Sequence, residues 1–368
     1  MAQSRDAVRL LVLGFGCLVV SSLCDSLRAP ALPLLAERFA SGYGRLSTFL
    51  TAGSVGSLAF NLLALRALSG LSDRAVVALA AGLQAAAMLL AAAAPGLGTL
   101  AVSGLLWGAG NGGLGMGSNL LVMRATPASS RARVVSLLHV FYGISCVFPP
   151  LYVAAVERAG GGPMALLAAP ALLPALLLAA TAVLPGGRAA ALGTDAAAPA
   201  GAPWRLASVV ALYVLGEVLT SMWMVAILTA KGMGLPEAGR VLSGFFLALA
   251  AGRVASAAFV RPGAERVLVP LGLVGGAAGT LLGASGSPWG FWLAGALFGP
   301  LFPLLITRVS VERGARLRES LAFVYALMVV ALGLGHQAMG WTAEAASPSA
   351  AALLPAACLL AGLAAWLL

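Results

Sequence analysis

The chain has 368 residues, 61% of them hydrophobic and 9% charged, with a net charge of +10 and a mean hydropathy of +0.99. That composition excludes a soluble globular domain. The basic surplus lies in breaks between apolar runs, so it reads as membrane topology and not as a nucleic-acid surface.

Apolar runs of about 20 residues, the length of helix that crosses the roughly 30 Å hydrocarbon core, recur from residue 8 to Leu368. Stretches such as LQAAAMLLAAAA do not alternate, which excludes a porin-like barrel. In chain order the expected spans are 8–28, 46–65, 75–94, 98–123, 134–156 and 164–184, then 206–230, 241–260, 267–284, 288–308, 320–342 and 349–367. The first follows MAQSRDAVRL and reads as a retained helix, because no small-x-small cleavage site leads into a soluble domain. Cys17, Cys24, Cys146 and Cys358 lie inside apolar runs without metal or disulfide spacing and read as buried thiols.

The expected fold class is an all-α integral membrane protein with twelve transmembrane helices in two sets of six. The weakly hydrophobic, Pro/Gly/Ala-rich stretch between the sets gives a domain division of 1–184, a cytoplasmic linker 185–204, and 205–368. With a cytoplasmic N-terminus, cytoplasmic segments and span ends hold 16 of the 22 Lys and Arg residues. That bias fits a multi-pass protein of the cytoplasmic (inner) membrane with both termini inside.

Sliding the second half over the first exposes a weak repeat. At an offset of 184, Gly115 meets Gly299, Arg124 meets Arg308 and Ser136 meets Ser320. Near the second and eighth spans the offset is 192 to 196, pairing Gly56 with Gly252 and Asp73-Arg74 with Glu265-Arg266.

Two six-helix halves, a parallel repeat, a central linker and an acidic-basic pair after span 2 resemble the major facilitator superfamily of secondary transporters. The superfamily signature in that loop runs roughly GxLADRxGRR. Here Leu71, Ser72, Asp73 and Arg74 match, while Val76, Val77 and Ala78 replace the GRR tail. Three pieces are similar to the fucose permease and related sugar-proton symporters: CDSLRAPALP in span 1, GAGNGGLGMGSNLLV in span 4 and LLHVFYGISCVFPPLY in span 5. Span 4 lacks the carboxylate those symporters carry there.

The resemblance implies two pseudo-symmetric six-helix bundles working by alternating access, with Asp73 and Arg74 in cytoplasmic gating. It implies a monomer in the lipid bilayer, with a small-molecule substrate and protons as partners and no cofactor or metal. The expected function is proton-coupled uptake of a sugar-like or other small polar solute. The alternative is proton-coupled export of amphipathic compounds or drugs, and a third reading is a membrane sensor that transports nothing. No HExxH, P-loop, GxSxG or CxxC pattern supports an enzyme or an ATP-driven pump.

A carboxylate at the centre of a span costs about 2.5 to 3.5 kcal/mol on insertion scales, so each intramembrane charge needs a partner, a wet cavity or a function. Glu217 falls near the middle of span 7 with no Lys or Arg three or four residues away. It reads either as a proton carrier or substrate ligand, or as a structural carboxyl hydrogen-bonded to another helix. Asp25 counts toward the outer end of span 1 with Arg28 one turn on, so it is either an interfacial ion pair or part of the cavity. His139 and His336 are possible proton relays or packing residues. Asn111 and Asn119, eight apart in span 4, share a face that suits substrate hydroxyls or helix packing. Arg253 reads as a snorkelling residue at the cytoplasmic end of span 8. Pro300 and Pro303 should break span 10 as a gating element.

Overall fold

The computed structural model describes residues 2–66, 71–183, 203–259, 263–313 and 317–368, so most of the expected linker lies outside the described residues. Eleven helical segments among them are long and apolar enough to cross a membrane. These are span 1 (Arg5–Arg38), span 2 (Tyr43–Ala64), span 3 (Asp73–Ala93), span 5 (Leu137–Arg158) and span 6 (Met164–Val183). After the linker come span 7 (Trp204–Ala230), span 8 (Leu235–Phe259), span 9 (Glu265–Ala284), span 10 (Pro288–Arg313), span 11 (Ser320–Ala345) and span 12 (Pro348–Leu367). Span 4 is the 29-residue helix Leu97–Ala125, made less apolar by its glycines and asparagines. The described residues thus form a helical multi-pass membrane protein with twelve spans.

Prolines break three of the spans. Span 1 turns at Leu27 between the helices Ala2–Ser26 and Arg28–Arg38. Pro30 has no N–H to give the carbonyl of Ser26, which explains the break. Span 5 breaks between Ala128–Ser145 and Phe148–Arg158, just ahead of Pro149 and Pro150. Span 10 breaks between Pro288–Phe298 and Leu301–Arg313 at Gly299-Pro300, as its prolines predict. The continuation of span 1 to Arg38 changes the depth of Asp25. With 34 residues in the span, position 25 lies near its middle and not at its outer end.

The contacts divide the chain into two compact units. The first holds Met1–Leu27, Thr48–Pro149 and the described part of 156–194; the second holds Arg28–Ser47, Pro150–Ala155 and spans 7 to 12. The helix Arg28–Arg38 packs on span 7 with Ala29, Leu32 and Leu35 buried.

Within the first unit, spans 2 and 4 meet backbone to backbone. A Cβ on Gly56 would strike the carbonyl of Leu105, one on Gly104 that of Phe49, and one on Gly108 that of Gly53. Without a hydrophobic force between helices in lipid, such close approach supplies the dispersion contact that holds them. Spans 8 and 10 of the second unit repeat the arrangement. Gly252 faces the carbonyl of Ala296, Gly295 lies against that of Phe245 (2.6 Å from a Cβ) and Gly299 against that of Leu249 (2.7 Å).

These contacts give the repeat its physical register. Phe49, Gly53 and Gly56 correspond to Phe245, Leu249 and Gly252 at an offset of 196, and Gly104, Leu105 and Gly108 to Gly295, Ala296 and Gly299 at 191. The sequence pairing of Gly115 with Gly299 is therefore displaced by two turns, and a Cβ on Gly115 would touch nothing within 4 Å. The charged pairing does recur structurally. Asp73 at the start of span 3 pairs with Arg124 of span 4, and Glu265 at the start of span 9 lies 3.8 Å from Arg308 of span 10.

Asp73 is buried at a helix N-terminus capped by Ser72, whose hydroxyl accepts from the Ala75 N–H at 3.2 Å. The helix dipole and the guanidinium both favour its charge. Arg124→Ala is expected to lower stability by about 1 to 3 kcal/mol, because it leaves a buried carboxylate unpaired beside a half-exposed partner. Asp73→Asn in the same chain should recover most of the loss. A thermal-unfolding cycle on the purified variants measures both.

Candidate transport site

Two polar clusters within the helices stand out, one in each unit. In the second unit, Glu217 is the midpoint of the 27-residue helix of span 7. Its carboxyl accepts a hydrogen bond from the hydroxyl of Tyr213, one turn earlier on the same face. Arg253 of span 8 brings Nη2 to 3.6 Å from Glu217 Oε1. As expected, no cation sits one turn away on its own helix; the partner comes from another helix.

Arg253 also departs from the snorkelling expectation. It sits six residues before the end of Phe259, yet its stem runs inward to the centre of span 7 and its side chain is only 12% exposed. In a low-dielectric interior the attraction between the two charges offsets part of the cost of burying each. Arg253 Nε is buried without an acceptor among the described residues.

Span 10 completes this cluster. The Tyr213 hydroxyl lies 3.1 Å from the carbonyl of Phe298, the last residue before the helix break. The next residue, Gly299, packs against the backbone of Arg253, where a Cβ would come within 2.7 Å of its nitrogen. The break in span 10 therefore touches both helices that carry the ion pair. Tyr213 has one proton and two acceptors, so it serves one of them fully at a time.

In the first unit, Asn111 of span 4 donates to Asp25 Oδ1 at 3.1 Å and accepts from the Ser21 hydroxyl. Asp25 and Asn111 are both half-buried. A carboxylate, an amide and a hydroxyl in a row offer alternating acceptors and donors suited to a polyhydroxy solute. Asn111→Ala is expected to lower stability by about 1 to 3 kcal/mol, because it removes the hydrogen bonds to the Asp25 carboxylate and the Ser21 hydroxyl. Melting curves of the detergent-solubilised variant read the loss.

The remaining sequence candidates are dispersed. Asn119 turns back to donate to the carbonyl of Gly115 on its own helix, at 2.9 Å, and does not join Asn111. His139 is half-buried on the helix Ala128–Ser145. Arg28 heads the short helix that packs on span 7 in the second unit. His336 is buried in span 11, with Nδ1 lacking a hydrogen-bond partner among the described residues. Arg74 is exposed beside the buried Asp73, while Pro300 lies in the break of span 10 and Pro303 in the first turn of the helix that follows it. No group of three or more His, Cys, Asp or Glu side chains able to hold a metal occurs among the described residues.

Sequence reasoning missed Tyr213, Ser21 and the role of Arg253. Tyr213 and Ser21 were legible as i−4 neighbours of Glu217 and Asp25 on the same helical faces. Arg253 carried no such signal, since a long side chain near a span end reaches either way.

No family model matches the sequence, and no curated protein matches it. Solved structures do. The nucleoside transporter NupG superposes with a TM-score of 0.75 at 15% identity, covering 98% of this chain and 98% of that one. The E. coli fucose:proton symporter FucP gives 0.65 at 15% identity, covering 96% and 97%. The human organic anion transporter MFSD10 gives 0.69 at 18% identity, covering 98% and 99%. The chain therefore has the fold of the major facilitator superfamily, as its two six-helix sets predicted.

Proposed function

We propose that the chain is a secondary transporter that takes up a small polar solute together with protons by alternating access. The observation that carries this reading is the Tyr213–Glu217–Arg253 cluster, a carboxyl at the midpoint of a span held between one hydroxyl and one guanidinium. Glu217 is the proton-carrying group. When it is charged, Arg253 and Tyr213 hold it; when it is protonated, the ionic hold of Arg253 is lost, the Tyr213 bond weakens and span 10 feels the change through Phe298. Asp25 and Asn111 supply hydrogen bonds to the solute, and Asp73 with Arg124 ties spans 3 and 4 at the cytoplasmic side. Solved proteins of this fold include transporters of nucleosides, of fucose with protons, and of organic anions, which supports transport as the class.

The test is a stability screen against sugars, nucleosides, amino acids and drugs, followed by liposome transport of each stabilising compound under an imposed pH gradient. Accumulation with the proton supports uptake. Movement opposed to the proton supports export of amphipathic compounds instead, and no movement of any stabilising compound overturns the transporter reading.

A further inference from the structure

We infer that Arg253 is the binding site for a small monovalent anion, so that the transported solute, or part of it, is a carboxylate. This rests on the proton-carrying reading of Glu217 and extends it to the charge of the solute. A guanidinium has five N–H donors in a rigid fork that matches a carboxylate bidentately. Among the described residues the ionic contact of Arg253 is the single approach of Nη2 to Glu217 at 3.6 Å, longer than a good hydrogen bond, and the buried Nε has no acceptor. Buried donors in folded proteins are overwhelmingly satisfied, so this guanidinium is held short of its partners.

The charge count selects the ligand. With Glu217 ionised, the pair is neutral. With Glu217 protonated, a buried positive charge is left on Arg253, and one negative charge restores neutrality where two would overshoot it. The side chains of Glu217 and Arg253 are 14% and 12% exposed, so neither is fully buried. Loss of the Glu217 charge and anion binding favour one another reciprocally, as any two linked binding events must.

Thermal stability and calorimetric binding on the full chain in detergent provide the test. The probes are acetate, lactate, benzoate and nicotinate, each beside its neutral amide, with inorganic phosphate at pH 8 as a dianion. At least one carboxylate should stabilise the protein while its amide and phosphate do not. Glu217→Gln, which fixes the uncharged form, should tighten that carboxylate by about 5- to 150-fold, the usual range of coupling between two sites. Arg253→Gln should abolish binding, and Arg253→Lys, which keeps the charge but loses the fork, should retain a weakened form of it. Equal binding of acid and amide, binding of phosphate alone, or no response to all four acids overturns the inference in the wild-type protein, whatever the variants do. Proton coupling is read separately in liposomes. Arg253-dependent carboxylate binding without proton-driven uptake sinks the coupling reading alone, whereas proton-driven uptake of a neutral solute sinks the anion site alone.

Discussion

Glu217→Gln is expected to reduce proton-driven solute accumulation to the level of protein-free liposomes while downhill exchange of the same solute persists. The carboxamide keeps the size of the carboxyl and still accepts from Tyr213, but it neither binds nor releases a proton. A residue that carries the proton is needed for uphill movement and dispensable for equilibration. A residue that merely packs is needed for neither or for both. Paired measurements in proteoliposomes, one under an imposed pH gradient and one as counterflow at equal pH, separate these cases. Loss of both activities from a protein that melts normally would assign Glu217 to solute binding, and retention of both would assign it to structure.

The second large effect is one of packing rather than charge. Gly108→Val is expected to cost more than about 3 kcal/mol, the upper end of ordinary overpacking penalties, and to deplete folded protein from the membrane. The added carbon would fall on the carbonyl and Cα of Gly53, and backbone cannot swing aside as the end of a flexible side chain can. Gly252→Val should do the same in the second unit, where the obstacle is the carbonyl of Ala296. Gly115→Ala, in the same helix as Gly108, meets nothing within 4 Å and should be neutral or more stable by up to about 1 kcal/mol. Fluorescence-detected size-exclusion and melting curves of the three variants provide the comparison. Equal behaviour of Gly108→Val and Gly115→Ala would refute the packing account.

The contrast between those glycines shows what the sequence carried and what it withheld. Span number, order and most boundaries were legible because a helix in lipid announces itself by length and apolarity. Span 1 was expected to end at residue 28, whereas the chain turns at Leu27 and the helix resumes to Arg38. That error placed Asp25 too near the outer surface and hid its bond to Asn111. The repeat was legible through its charges, since Asp73 and Glu265 each meet an arginine from the following span, but glycine matches in so glycine-rich a chain could slip by two turns. Arg253 was illegible for a different reason. Its position fixes where the stem begins and leaves open which way six bonds of side chain run, and only the Glu217 carboxyl across the helix interface decides it.

The placement of Tyr213 between Glu217 and Phe298 has a mechanical consequence. A phenol that lends its one proton to the carboxyl withholds it from the backbone, and a phenol released by the carboxyl can tie that backbone down. On the proton-carrying reading of Glu217, Tyr213 acts as a selector switch whose input is a chemical bond at the midpoint of span 7 and whose output is the stiffness of the joint in span 10.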